Sequence, residues 1–148
     1  MRHGKTEDFS DSGEDFERIL VQRGRIEVAE AAIALKSSAV HPQIILASPA
    51  FRAAATARIV ANFLGIQIEY WASLYMGSIQ TYIDAVNKHD LKSILVVGHN
   101  PSVGELAMQF SGYHFKNYPT STLAGFEFQN QNISLDSKAK LVFEHIRK

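Results

Sequence analysis

Cysteine is absent from this 148-residue chain. That excludes disulfides, thiolate nucleophiles and Cys-ligated metals. A surplus of charge of either sign is also absent, because 15 basic and 15 acidic residues cancel. The balance leaves no general footprint for a nucleic acid or a membrane surface, so neither is expected as a partner, and any basic site has to be local. No apolar run approaches the roughly 20 residues of a membrane-spanning helix. Charged and polar residues follow Met1 directly, so no secretory leader is expected and the expected compartment is the cytoplasm. Repeats, low-complexity tracts and linkers are missing as well. What remains is 46% apolar and 20% charged, ordinary for a globular protein, and its length suits a single domain over residues 1–148.

The pattern along the chain alternates strands and helices. Lys5 to Glu14 reads as a polar loop. Gln22 to Lys36 reads as a helix with Ile26, Ala29, Ala32 and Ile33 on its apolar face. Gln43 to Ala47 is a short apolar run of buried-strand type, followed by Ser48 as expected N-cap and Pro49 as first helical residue. That helix should carry Phe51, Thr56, Ile59, Val60 and Phe63 and stop at Gly65. A strand is expected over Ile66 to Tyr70, then a Ser78-capped helix with Ile79, Tyr82, Ile83 and Val86. Ser93 to Val97 is the strongest buried-strand candidate, followed by Asn100 as N-cap and Pro101 as first residue of another helix. Leu123 to Phe128 and Lys140 to His145 read as late strands, the second an antiparallel edge. This alternation implies an α/β domain, a three-layer α/β/α sandwich with a mostly parallel central sheet.

Two of these junctions share a design: an apolar strand, a capping residue, a proline and an amphipathic helix. Ligands of open α/β sheets bind beyond the carboxyl ends of strands. A helix N-terminus there presents unpaired N–H groups and a partial positive charge, which suits a phosphate. Arg52 follows Pro49 within one turn, and its planar fork matches two phosphate oxygens. His99 stands at the end of the other strand. Alone, Arg52 also reads as a solvated surface arginine and His99 as a partner for a backbone carbonyl. Arg2-His3-Gly4 alone carries less still. The conjunction of Arg-His-Gly, Ser-Pro-x-x-Arg and His-Asn-Pro in one α/β pattern is what points to a phosphate site.

With these segments in view, the chain resembles the histidine phosphatase superfamily, the phosphoglycerate-mutase-like fold, and most of all its short SixA-type phosphohistidine phosphatases. The resemblance is carried by RHGKTE at Arg2, DFERILVQRG at Asp15, SPAFRAAATA at Ser48, VVGHNPSVGEL at Val96 and YPTSTLAGFEF at Tyr118. It implies a phosphatase with no metal and no cofactor, in which His3 accepts the phosphoryl group as a covalent phosphohistidine. Arg2, Arg52 and His99 would clamp the phosphate. Arg18 would add a further contact, as would Asn100, and Gly4 would let the backbone approach the phosphate closely. The implied substrate is a phosphohistidine on a phosphorylated protein. The other readings are a small-molecule phosphomonoesterase and a non-catalytic phosphate-binding module.

Two departures from the family pattern matter. Larger members place a carboxylate acid in the segment aligning near Leu74 to Ser78, and none stands there; Glu69 and Asp84 are the nearest. A nitrogen leaving group is readily protonated, so this favours phosphohistidine over an ester. Second, the resemblance implies a central apolar strand before Arg-His-Gly, and the chain offers only Met1. The expectation is that the start is truncated or that another segment takes that strand's place, with His3 at a frayed terminus if the strand is missing. The small span between Ala53 and Ser93 predicts an open, shallow site. His41, His89, His114 and His145 form no ligand pair at helical spacing, so no metal site is expected. Tyr113-His114-Phe115 is a candidate for the site rim, and Thr120 to Thr122 for the crevice.

Overall fold

Two apolar runs become parallel strands covered by helices on both faces, and a third, mostly exposed strand pairs along one edge. In the computed structural model, which describes residues 1–147, β1 (Ile44–Ala47) is central, with β2 (Gln67–Tyr70) and β3 (Ile94–Val97) on its flanks. Helices α1 (Gln22–Lys36) and α2 (Phe51–Leu64) cover one face. Helices α3 (Ile79–Asn87) and α4 (Ser102–Phe110) cover the other. Alternate residues of β1 serve the two layers: Ile45 and Ala47 pack with Val28, Leu35, Ala57 and Val60, while Leu46 packs with Leu74, Tyr82 and Val103. Strands β4 (Leu123–Phe128) and β5 (Ala139–His145) form a separate antiparallel pair. The parallel sheet is therefore three-stranded, and the late strands join it only through other main chain. Among the described residues no helix is long and apolar enough to cross a membrane.

That joining main chain is the first three residues. The Met1 amine donates to Val96 O at 2.7 Å, Gly98 N–H donates to Met1 O at 3.1 Å, and His3 N–H donates to Gly98 O at 3.1 Å. On the other side, Arg2 N–H donates to Thr122 O and Ser121 N–H to His3 O, each at 3.0 Å. Met1 to His3 thus run as a strand end between β3 and the segment entering β4. The expectation of a frayed terminus at His3 is corrected: Met1 is 6% exposed and bonded to β3 and Gly98, and His3 is 8% exposed and tied to main chain on both sides. Past Met1, β3 and β4 part around an apolar cavity of about 500 Å3, lined among others by Ile94, Val103, Phe110, Leu123 and Phe126.

Helix boundaries agree with the pattern in the sequence to within two residues, since Pro49 and Pro101 precede α2 and α4 instead of opening them, and three further local details differ. The buried face of α1 is Val28, Ala31, Ala32 and Leu35, whereas Ile26 and Ile33 lie half exposed. Two apolar stripes compete on this helix, and the one rich in alanine wins because it lets α2 approach closely. Ser48 does not cap α2, which starts at Phe51 behind Ala50; Ser48 turns its hydroxyl elsewhere. Asn100 does not cap α4 either, and its side-chain amide donates to Tyr118 O at 3.0 Å. Ser78 does cap α3, accepting the Thr81 N–H, and α2 ends at Gly65 in the left-handed conformation, φ 69°.

Urea unfolding checks the assignment of the α1 face. Leu35→Ala costs about 2–5 kcal/mol, the range for a large-to-small change in a core. Ile26→Gln is near neutral, and a loss there as large as that at Leu35 would return the burial to the other stripe.

Candidate active site

Because β1 and β3 are paired and parallel, their carboxyl ends deliver Ser48 and His99 side by side. Ser48 Oγ accepts the Ala50 N–H at 3.3 Å and stands 2.8 Å from His99 Nε2. When the hydroxyl donates to Nε2, the His99 ring proton sits on Nδ1. That Nδ1 is buried and has no partner.

His3 comes to the same place on the Met1–His3 main-chain ladder. Its Nδ1 lies 2.8 Å from Gly4 O. A carbonyl can only accept, so Nδ1 carries the proton and Nε2 presents a lone pair. Arg52 Nε donates to that Nε2 at 3.2 Å. The two imidazoles stand 5.2 Å apart, centroid to centroid, and each is 8% exposed. Burial is the main cause that pushes His3 down to about 3; His99, Arg52 and Arg2 add to it, and the Gly4 hydrogen bond opposes it. His99 is pushed down to about 4, again by burial first and then by Arg52. Both rings are therefore neutral at neutral pH.

Arg52 sits in the first turn of α2 with its guanidinium buried. Arg2 donates through Nη1 to Tyr118 O at 3.0 Å, and its Nε is buried without a partner. Arg2, His3, Arg52 and His99 line a cleft of about 410 Å3 together with Lys5, Thr6, Asp8, Arg18, Asn100, Pro119, Thr120 and Arg147. The floor is buried, while Lys5, Asp8 and Asn100 at the rim are exposed. Five arginine and lysine side chains face one carboxylate around this cleft, so an anion is the ligand it suits. Among the described residues, no group of three or more His, Cys, Asp or Glu side chains could hold a metal ion.

Six of the seven residues singled out from the sequence, Arg2, His3, Arg18, Arg52, His99 and Asn100, meet at this cleft. Gly4 does not. A Cβ on Gly4 would come within 2.8 Å of Val28 Cγ2 and 3.0 Å of Gly24 O, so its bareness serves the packing against α1. Arg18 lines the cleft with its donors engaged: Nε on Glu7 O, Nη2 on Thr6 Oγ1 and Nη1 on Asp15 Oδ1. Tyr113-His114-Phe115 does not form the rim, since His114 pairs with Glu144 at 2.9 Å and Phe115 is buried in the core. Thr120 reaches the cleft, but Ser121 and Thr122 are buried beneath it. Glu69 binds Trp71 and His89, and Asp84 accepts from Gln80, so neither serves the cleft.

The sequence reading missed Lys5, Asp8 and Arg147 on the rim, and Asp15 and Tyr75 behind Arg52. Asp15 accepts from Arg52 Nη2 at 2.9 Å and from Tyr75 Oη at 2.9 Å. The only signal was its place three residues before Arg18; nothing in the spacing ties it to a helix 37 residues later.

The comparisons with known proteins agree with this geometry. The sequence profile of the histidine phosphatase superfamily (branch 1) matches residues 1–75. An uncharacterised protein of Picosynechococcus sp. is 30% identical, with the alignment covering 77% of this chain and 74% of that one. Among solved structures, a candidate phosphohistidine phosphatase SixA from Agrobacterium tumefaciens superposes with a TM-score of 0.85 at 24% identity, covering 99% of this chain and 95% of that chain. The protein histidine phosphatase SixA complexed with tungstate gives 0.79 at 25% identity, covering 97% and 92%.

The lowered histidines set a pH dependence. An unfolded histidine protonates near 6.5, so between that pH and about 4 the unfolded chain binds more protons than the folded one, and stability falls as pH drops through this window. His3→Gln removes one such group and flattens the decline, as read from urea midpoints at a series of pH values. An identical slope in both proteins would show that His3 is not held neutral.

Proposed function

Because the chain belongs to the histidine phosphatase superfamily and is a phosphatase of that family, we propose that it hydrolyses the phosphoramidate bond of phosphohistidine on a protein, with His3 as the covalent carrier. The observation that carries this reading is the convergence of Arg2, His3, Arg52 and His99 on one cleft, with Arg52 Nε 3.2 Å from the unprotonated His3 Nε2.

In this mechanism the Nε2 lone pair of His3 attacks phosphorus. A bond forms from Nε2 to phosphorus as the bond from phosphorus to the substrate imidazole breaks, and the departing nitrogen takes a proton from solvent. Water then attacks phosphorus, the bond to His3 breaks, and inorganic phosphate leaves. The chemistry asks mainly for placement and for charge stabilisation on the equatorial oxygens. Arg2 and Arg52 supply charge, and neutral His99 supplies a donor. A His3 held neutral keeps Nε2 unprotonated at physiological pH, and its lone pair is released for attack when Arg52 Nε passes its N–H hydrogen bond to a phosphoryl oxygen.

The leaving group follows from which acids are at hand. Leu74 to Ser78 contributes no carboxylate, and Asp15 is held ionised at about 2, since hydrogen bonds from Tyr75, Arg52 and Arg18 outweigh the opposing effect of burial. Neither arrangement protonates an ester oxygen. Asp8 on the rim favours the second reading, a phosphomonoesterase, because it is the one carboxylate that lines the cleft.

Incubation with a labelled, chemically phosphorylated histidine protein tests the reading. Wild type traps label at His3 under acid-free quench, and His3→Ala traps none. Arg52→Ala lowers kcat/KM by about 100-fold or more, as loss of a charge-stabilising donor does. Turnover of phosphomonoesters that exceeds turnover of phosphohistidine, and that falls in Asp8→Asn, would replace this reading by the ester one.

A further inference from the structure

We propose that Asp15 is the positioning residue of the site, holding the Arg52 guanidinium so that its Nε edge faces the attacking nitrogen of His3. The inference rests on the reading of His3 and Arg52 above. The geometry is a closed clasp. Arg52 spends both terminal nitrogens on one residue, Nη1 on Asp15 O at 2.7 Å and Nη2 on Asp15 Oδ2 at 2.9 Å. That fixes the end of the guanidinium and leaves the Nε side for His3 Nε2. A planar fork gripped on one edge presents the other edge in a single orientation.

Asp15 is itself held from three directions. Besides Arg52, Arg18 Nη1 reaches Oδ1 at 3.2 Å and Tyr75 Oη donates to Oδ2 at 2.9 Å. Tyr75 packs edge-on against His99 at 5.6 Å and against Phe16 at 5.0 Å, and Phe16 meets Phe51 at 6.0 Å. The chain His3, Arg52, Asp15, Tyr75, His99 thus closes on the two imidazoles, so the placement of Arg52 is coupled to both. The carboxylate has no proton to give, because hydrogen bonds from Tyr75, Arg52 and Arg18 keep it ionised against the effect of burial. Its work is orientation, and as an anion beside an anion site it also opposes phosphate by charge alone.

That opposition makes the experiment decisive, since the two effects have opposite signs. Wild type, Asp15→Ala and Asp15→Asn are compared for kcat on the phosphorylated histidine protein and for binding of inorganic phosphate by calorimetry. Asp15→Ala lowers kcat by about 100-fold, the scale of a small misplacement, and weakens phosphate binding even though a repelling charge is gone. Asp15→Asn keeps an acceptor oxygen for Nη2 and restores most of kcat. Unchanged kcat in Asp15→Ala, or phosphate bound more tightly than by wild type, overturns the proposal and makes Asp15 a competing anion. If Asp15→Ala does not fold, Tyr75→Phe carries the same test: a lowered kcat with weakened phosphate binding supports the clasp, and no change in either refutes it. Phosphate binding needs no turnover, and label trapping in wild type against His3→Ala reports on the covalent step separately, so the two readings fail independently.

Discussion

The short main-chain ladder that holds Met1 to His3 between β3 and residues 121–122 is the constraint on which the site depends. It links the parallel sheet to the β4–β5 pair, and it brings the first three residues to the ends of β1 and β3. His3 gains its precision from this. Its own N–H and C=O are both bonded to neighbouring main chain, and Gly4 O fixes its tautomer. A side chain on a rigid element can be placed to within the tolerance that phosphoryl transfer needs, whereas a side chain on a free terminus cannot.

Burial then does the chemistry's groundwork. Taking two imidazoles and two guanidinium groups out of water beside one another disfavours added charge, so the histidines give up their protons and the arginines keep theirs. The result is an unprotonated His3 Nε2 and a neutral His99 next to permanent positive charge. The cost is a set of buried nitrogens that the protein leaves unpaired. Such groups are expensive to leave without a hydrogen bond.

Much of the fold was legible because local patterns and tertiary demands agreed. Ile44 to Ala47 and Ile94 to Val97 are apolar on both faces, as strands between two helical layers must be. Ser78 capped its helix, and Gly65 ended another, since both acts are settled within a few residues. The failures came where a local rule met a distant competitor. Ser48 was free to cap α2 until His99, 51 residues away, claimed its hydroxyl. Ile26 and Ile33 made a plausible buried stripe until α2 chose the smaller side chains of the other one. Gly4 looked like a residue bared for a phosphate, and it is bared for Val28 and Gly24.

The sequence by itself determined the inventory of the site: an Arg-His pair, a second arginine and a second histidine at strand-to-helix turns, no thiol and no carboxylate where an acid would be sought. Residue types and short spacings suffice for that, because they are properties of the chain. Tertiary structure alone decided which nitrogen of His3 is free, that its ring is neutral, that Gly4 belongs to the packing, and that a carboxylate reaches Arg52 after all, from Asp15. Each of these depends on which groups from remote segments share a few ångströms of dehydrated space. Hydrogen-bond partners and desolvation, unlike helix caps and apolar periods, leave no trace in local order.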